Sequence, residues 1–313
     1  PVNTGRYSSL AAGTQNATVF FAGNTSPNNV GCTEEWNGIS WVQACNMSLA
    51  RAAGAGGGSS QSSTFIGGGA TPTKVATTEE YVKNSIPPYT TCVWTKSAPL
   101  IKGRASGGTA GVQNAAILAG GIGPSNTNQT EEWDGTNWTL GGAMINTSRG
   151  WGGAGTQDAM VITGGQNPVA GKTEEYNGTS WAAGGDLATG RFGLGTSGTQ
   201  NAALAFGGYK ESPAGNVTCT EEYNGSSWSP GGAMISAKRA IGGLGTQNAA
   251  LAVGGCSPSV VSCTEEYNGS SWSSGGALIT ARTGTGTAGT TTTALSFGGK
   301  SPSVNYNVFT EGY

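Results

Sequence analysis

A four-residue string, Thr-Glu-Glu followed by an aromatic, returns along this 313-residue chain at a nearly constant interval. Its aromatics are Trp36, Tyr81, Trp133, Tyr176, Tyr223 and Tyr267, and a variant ends at Tyr313, so the spacings are 45, 52, 43, 47, 44 and 46 residues. A period of this length marks a chain that repeats one supersecondary unit. An apolar run closing on Gly-Gly precedes each copy, at Gly67-Gly68, Gly120-Gly121, Gly164-Gly165, Gly207-Gly208, Gly254-Gly255 and Gly298-Gly299; the first copy reads Ala22-Gly23. A Trp follows the aromatic by five residues in most copies (Trp41, Trp138, Trp181, Trp228, Trp272), and an Arg comes ten or eleven residues later.

Each unit reads as four short strands. In the fourth copy these are the run around Gly152 to Gly155, then Ala159 to Thr163, Thr173 to Tyr176, and a last strand near Trp181. The turn Gly155 to Asp158 joins the first two, and Asn177-Gly178 between short strand-like runs signals the hairpin to the fourth. No segment carries a helical period. Four antiparallel strands in about 45 residues, repeated seven times, predict an all-β fold, a seven-bladed β-propeller of four-stranded antiparallel blades. The 56 glycines, about 18% against a usual share of roughly 7%, fit innermost strands that crowd round an axis. The Trp is expected to pack between blades.

The expectation is a single propeller over residues 1–313, its last blade closed by the N-terminal segment. Tyr313 is followed by no Trp strand, and Pro1 to Thr4 resemble the tail of one. The last blade is therefore expected to be thin, or the chain to be part of a longer polypeptide, as a start at Pro rather than Met suggests.

Charge leaves little for chemistry. With no His among the 313 residues, Ser-His-Asp and Cys-His catalysis and imidazole metal sites are excluded. A net charge of −2 gives no support for nucleic-acid binding, and no apolar run is long enough to cross a bilayer. Thirteen of the 17 acidic residues lie in the repeated motif; Asp134, Asp158, Asp186 and Glu211 fall outside it. A catalytic pair is needed once, whereas this doublet recurs, and adjacent strand residues point to opposite faces. One Glu per unit is expected to pair with a motif Arg or a backbone amide. All seven Arg read as repeat positions and all eight Lys as non-motif. No catalytic residue, metal site or cofactor is assigned.

Binding residues are sought where repeats differ. The loop after Gly-Gly varies most and holds one Pro in each copy. Candidates there are Asn28, Asn29, Lys74, Asn126, Asn128, Asn167, Lys210, Asn216, Ser259 and Asn305. These loops should emerge on one face. The second unit separates Tyr81 from Trp94 by 13 residues, and its insert offers Lys83, Ile86 and Tyr89 as a docking element on the opposite face. Six cysteines are present. The register that pairs Trp36 with Trp41 also pairs Cys32 with Cys45, and Cys256 and Cys263 flank one Pro loop. Both pairs are candidate disulfides and favour an oxidising setting.

A Gly-Gly doublet ending one strand, Glu-Tyr in the next, then Trp and Arg, resembles the kelch repeat over essentially the whole chain. The wording TEEYNGSSW…GGALITAR…GTQNAALAFGG is similar to kelch-like repeats of structural proteins of marine bacteriophages. Kelch propellers with copper or iron centres use His ligands, which are missing here. The resemblance implies a non-enzymatic virion component, extracellular on its particle, that serves as a decoration, fibre or host-adhesion module. Its expected partners are other virion proteins and a host-surface glycan. The alternative reading is a secreted carbohydrate-active or glycan-binding propeller.

Overall fold

The computed structural model describes residues 2–14, 16–25, 28–71, 73–86, 89–112, 114–166, 170–297, 300–302 and 310–312. Within strands, residues 55–59, 84–86, 89–96, 286, 288, 289, 295, 297 and 310–312 are described by backbone alone.

Antiparallel sheets follow one another along the chain, each built from an innermost strand outward. The first runs Leu10–Thr14, Ala17–Phe21, Thr33–Trp36 and Trp41–Gln43. Burial falls along this order. In the Glu221 blade the second strand Ala202–Phe206 is buried at all but its first residue, whereas in the Glu174 blade the outer strand Trp181–Ala183 buries only its Trp. The innermost strand of each sheet packs against those of its two neighbours, and Gly286–Thr290 of the last sheet packs against Leu10–Thr14, so the arrangement closes on itself. The chain is a β-propeller.

Blade number and regularity correct the expectation of seven four-stranded blades. Five blades, those carrying Glu34, Glu131, Glu174, Glu221 and Glu265, hold four strands with every strand side chain described. The Glu79 sheet has four strands but departs from the plan. Its outer pair, Thr78–Ile86 and Tyr89–Ser97, is drawn out to nine residues each, and its inner pairing shifts register between Gly57 and Ser60. The last sheet has three strands among the described residues, ending in Thr310–Gly312. Residues Val2 to Arg6 take the place of a connector running into the first blade: Val2 packs with Phe20 and Trp41, and the Asn3 and Thr4 amides donate to Glu34.

Glycine is needed where the inner strands meet. A Cβ at Gly152 would lie 2.4 Å from Thr196 Cγ2 on the neighbouring blade. In the turn between inner and second strands Gly198 has φ of +96°, and a Cβ there would lie 2.1 Å from the Ala202 carbonyl oxygen. Farther from the axis large residues fill the widening gap, as where Phe206 meets Trp272 of the next blade with ring centroids 5.1 Å apart.

Strand direction places the loops. The turns between inner and second strands and between third and outer strands share one face. The Pro loops and the blade-to-blade connectors share the other. Two Pro loops carry small hairpins, Tyr209–Glu211 with Ala214–Asn216 and Cys256–Ser257 with Ser259–Val260.

Candidate functional site

The conspicuous motif is spent on joining blades. Its Thr accepts the indole N–H of the next blade's Trp: Trp138 on Thr78 at 2.6 Å, and Trp181 on Thr130, Trp228 on Thr173 and Trp272 on Thr220 at 2.8 Å. The second Glu accepts the phenol of the next blade's Tyr, as in Glu35 with Tyr81, Glu132 with Tyr176 and Glu222 with Tyr267. Thr and second Glu stand two apart and so face the same neighbour. The first Glu faces the other way and receives two consecutive connector amides. Ser48 and Leu49 donate to Glu79 at 2.6 and 3.2 Å, and Ile235 and Ser236 donate to Glu265 at 2.7 and 3.2 Å.

A buried cation from the same connector completes most of these joints. Arg6 meets Glu34 at 3.3 Å and Arg51 meets Glu79 at 2.8 Å, while Arg104 and Arg191 pair with Glu131 and Glu221. The reading that every Arg and no Lys is a repeat position is corrected here. Lys238 is the cation on Glu265, at 3.1 Å, and Ser148 occupies the equivalent place in the Glu174 blade. Glu174 is instead held by the Ile145 and Asn146 amides and by Asn146 Nδ2 at 3.0 Å. Arg149 and Arg239 are therefore one residue out of register.

Electrostatics follow burial. Desolvation draws the Arg6, Arg51 and Arg282 guanidinium groups down to about 10, against the pull of Glu34 on Arg6 and of Glu79 on Arg51. It pushes the Tyr176 and Tyr267 phenols up to about 12, helped by the carboxylates they donate to; Tyr81 and Tyr223 move the same way, beside Glu35 and Glu175. A fourth joint is the turn glutamine. Gln157, Gln200 and Gln247 each donate from Nε2 to two carbonyls of the preceding blade, Gln247 to Ala203 at 3.0 Å and to Tyr223 at 2.6 Å.

Chemistry left over by the scaffold gathers at the Pro-loop end of the inner strands. There the residue after the motif cation bridges the residue after Gly-Gly, which in the Glu79 sheet is the pair Gly68-Gly69. Two of these bridges pair Ala52 with Ala70 and Ala105 with Ile122. On the other side of the ring the same first position holds Arg149, Phe192 and Arg239 in three successive blades. Phe192 packs on Tyr209 with centroids 5.5 Å apart, and Arg239 Cζ lies 4.5 Å over the Tyr209 ring. Arg149 Nε donates to Gln166 Oε1 at 2.6 Å. All four side chains are half-buried. Among the described residues neither arginine has an ion pair, and no bond is formed by Arg149 Nη1 or Nη2 or by any guanidinium nitrogen of Arg239. These residues were hidden by the tolerance of the motif spacing. The Trp-to-Arg interval is ten where the Arg is buried and eleven at Arg149 and Arg239, and that extra residue is the signal.

Sequence-derived loop candidates divide. Asn29 Nδ2 donates to the Ala70 carbonyl at 2.6 Å and Asn216 Nδ2 to that of Cys256 at 2.6 Å, each tying its loop to the next; Asn128 Nδ2 reaches Met144 O at 3.0 Å. Asn28, Lys74 and Ser259 are exposed, and Asn126 and Lys210 half-buried. Asn167 and Asn305 lie outside the described residues. Lys74 and Lys102 line a cavity of about 750 Å³ with Thr73, Ile101 and Pro124. On the opposite face Lys83 pairs with Glu35; the side chains of Ile86 and Tyr89 lie outside the described residues.

Both expected disulfides are corrected. Cys32, Cys219, Cys256 and Cys263 are free, and Cys45 is disulfide-bonded, so neither Cys32–Cys45 nor Cys256–Cys263 is the bridge. The expected register holds at Glu34 with Gln43 and for one bond more, where Ala44 donates to Thr33 at 2.9 Å, but the chain then turns so that Met47 donates to Gly31 at 2.8 Å, taking Cys45 out of line with Cys32. In the Pro loop Cys256 pairs with Val260, while Cys263 receives Lys238 Nζ on its sulfur at 3.4 Å.

The fold has a solved counterpart. The structure titled "Structure of YjhT" matches at a TM-score of 0.65 with 12% identity, covering 86% of this chain and 96% of that one. This likeness concerns the fold. No family model matches the chain. No curated protein matches its sequence.

Proposed function

We propose that this chain is a non-enzymatic, kelch-type binding propeller carried on an extracellular particle, a phage virion in the reading its wording supports. Its Pro-loop face would meet the partner. The observation that carries this is the division of charge. Motif carboxylates are occupied with joining blades, while Lys74, Lys102, Arg149, Lys210 and Arg239 collect at the Pro-loop face. A carboxylate pair free to act as acid and base is what glycoside hydrolysis would require, and the doublets of Glu35, Glu132, Glu175 and Glu222 are divided between two neighbours, while Glu80 accepts from Ser97 of its own sheet. The drawn-out hairpin 78–97, on the opposite face, would anchor the module to its particle.

Imaging the assembled particle at side-chain detail tests the reading. Contacts through the 78–97 hairpin with the Pro loops turned outward are expected. A free, secreted chain that turns over a glycoside would overturn it in favour of a carbohydrate-active propeller.

A further inference from the structure

The half-ring of Arg149, Phe192, Tyr209 and Arg239 is not explained by folding. The scaffold accepts Ala52 and Ala105 at the position where Phe192 and Arg239 stand, with the same backbone bridge, and Arg149 holds the corresponding place after Ser148, its carbonyl accepting the Gln166 amide at 3.1 Å. Large side chains at three successive blades therefore do something other than close the ring. Two guanidinium groups flank an aromatic pair, and Gly150, next to Arg149, brings its backbone toward Phe192, whose Cβ would lie 3.8 Å from a Cβ built there. The backbone beside Arg149 thus adjoins Phe192, and Arg239 adjoins Tyr209.

A guanidinium with unused Nη donors is suited to a planar anion, and its paired N–H groups match the two oxygens of a carboxylate. An aromatic face beside it accepts the apolar C–H face of a pyranose ring. Half-burial lowers the cost of removing water from the anion's surroundings without closing the site. Polar amides adjoin the arginines, Gln166 at Arg149 and Asn216 on the hairpin that carries Tyr209, and these suit hydroxyl groups. A net charge of −2 opposes capture of a long polyanion such as nucleic acid.

We propose that Arg149, Phe192, Tyr209 and Arg239 form a binding surface for an oligomer of a carboxylated sugar, each arginine holding a carboxylate and the aromatic pair between them a ring. This rests on the reading of the Pro-loop face as the binding face, and names the ligand class of that face.

The test is a calorimetric titration of the full chain with a short oligomer of galacturonate, a neutral galactose oligomer, a sulfated galactose oligomer and a single-stranded DNA oligomer. Saturable binding of the galacturonate oligomer is expected, with Arg149→Ala and Arg239→Ala each weakening it about tenfold or more. Alanine occupies the equivalent rim position in two other sheets, so these variants keep the fold, checked by an unchanged melting temperature. Lys172→Ala, whose exposed ammonium is paired with Asp186 at 2.6 Å, removes a positive charge outside the cluster and should leave binding within about twofold. The proposal is overturned by equal binding of the neutral oligomer, by tighter binding of the sulfated or DNA oligomer, by unchanged affinity in the Arg149→Ala/Arg239→Ala variant, or by no binding at all. In the last two cases the binding-face reading still stands or falls separately, on whether particle contacts leave the Pro loops outward.

Discussion

Arg51 donates from Nη2 to Glu79 Oε1 at 2.8 Å, and both side chains are wholly buried. Such a pair contributes little beyond a well-packed apolar substitute, yet removing one partner strands a charge. Arg51→Ala is expected to lower stability by about 3–5 kcal/mol, and Arg51→Met/Glu79→Gln by clearly less. Denaturant unfolding of the three proteins checks this. A double variant no better than Arg51→Ala would show that the connector amides, not the ion pair, dominate the joint.

Alkaline pH acts on the other carboxylate of the motif. The Tyr267 phenol donates to Glu222, and its folded pKa of about 12 lies above the ordinary 10. A group raised in the folded state keeps a proton the unfolded chain loses. Its contribution is therefore present below pH 10 and disappears as pH rises through about 12. The buried arginines, drawn down to about 10, shift in the other sense. Comparing wild type with Tyr267→Phe cancels their part. Tyr267→Phe is expected to cost about 1 kcal/mol at neutral pH, with the gap to wild type closing between pH 10 and 12. Phenolate absorbance recorded alongside unfolding would show one fewer late-titrating tyrosine.

How far the sequence foretold this follows from what a period can carry. Repetition located the strands, because Gly-Gly, Asn-Gly and the recurring Trp each fix a turn or an interface in every unit. It showed that the Glu doublets are structural, but not their division of labour, since Tyr81 meets Glu35 only when two blades are set side by side. Individuality was less legible. Lys238 and Ser148 stand in the motif cation's place beside an Arg one position on, and residue type alone points to the Arg. The first cysteine pair failed for a related reason: a hairpin register holds only as far as its backbone bonds, and the last in register is Ala44 to Thr33, one residue short of Cys45.

The turn glutamine should matter as much as the charged joints. Gln247→Ala would leave the Ala203 and Tyr223 carbonyls without their donor, an expected loss of about 1–3 kcal/mol. Gln247→Glu should be worse, since it sets a carboxylate against two carbonyl oxygens at the same place. A denaturation series in which Glu outperforms Ala would mean that packing, and not the paired donors, explains the residue.

Two glycines of the same blade should respond differently to alanine. At Gly198, φ is +96° and a Cβ would sit 2.1 Å from Ala202 O, whereas a Cβ at Gly215 would meet nothing within 4 Å. Gly198→Ala must move backbone in a turn that also positions Gln200, so a loss of about 2 kcal/mol or more is expected. Gly215→Ala should change stability by less than about 0.5 kcal/mol. Melting temperatures of the two variants decide it, and equal values would show that the inner turn relaxes without resistance.

Thiol chemistry separates the cysteines without any mutation. Cys32, Cys219, Cys256 and Cys263 are free and half-exposed, and Cys45 is disulfide-bonded. A disulfide needs Cβ atoms about 4 Å apart and pointing toward each other. Cys256 is free, its thiol donating to the Pro258 carbonyl at 3.1 Å, and the Cys263 sulfur faces Lys238 and Ser236. Treating the native chain with a maleimide, without reductant, should therefore label these four residues. Cys45 should react only after reduction and unfolding. Peptide mass mapping gives the answer directly. A Cys256–Cys263 cross-linked peptide would show that this Pro loop closes in a register other than Cys256 with Val260.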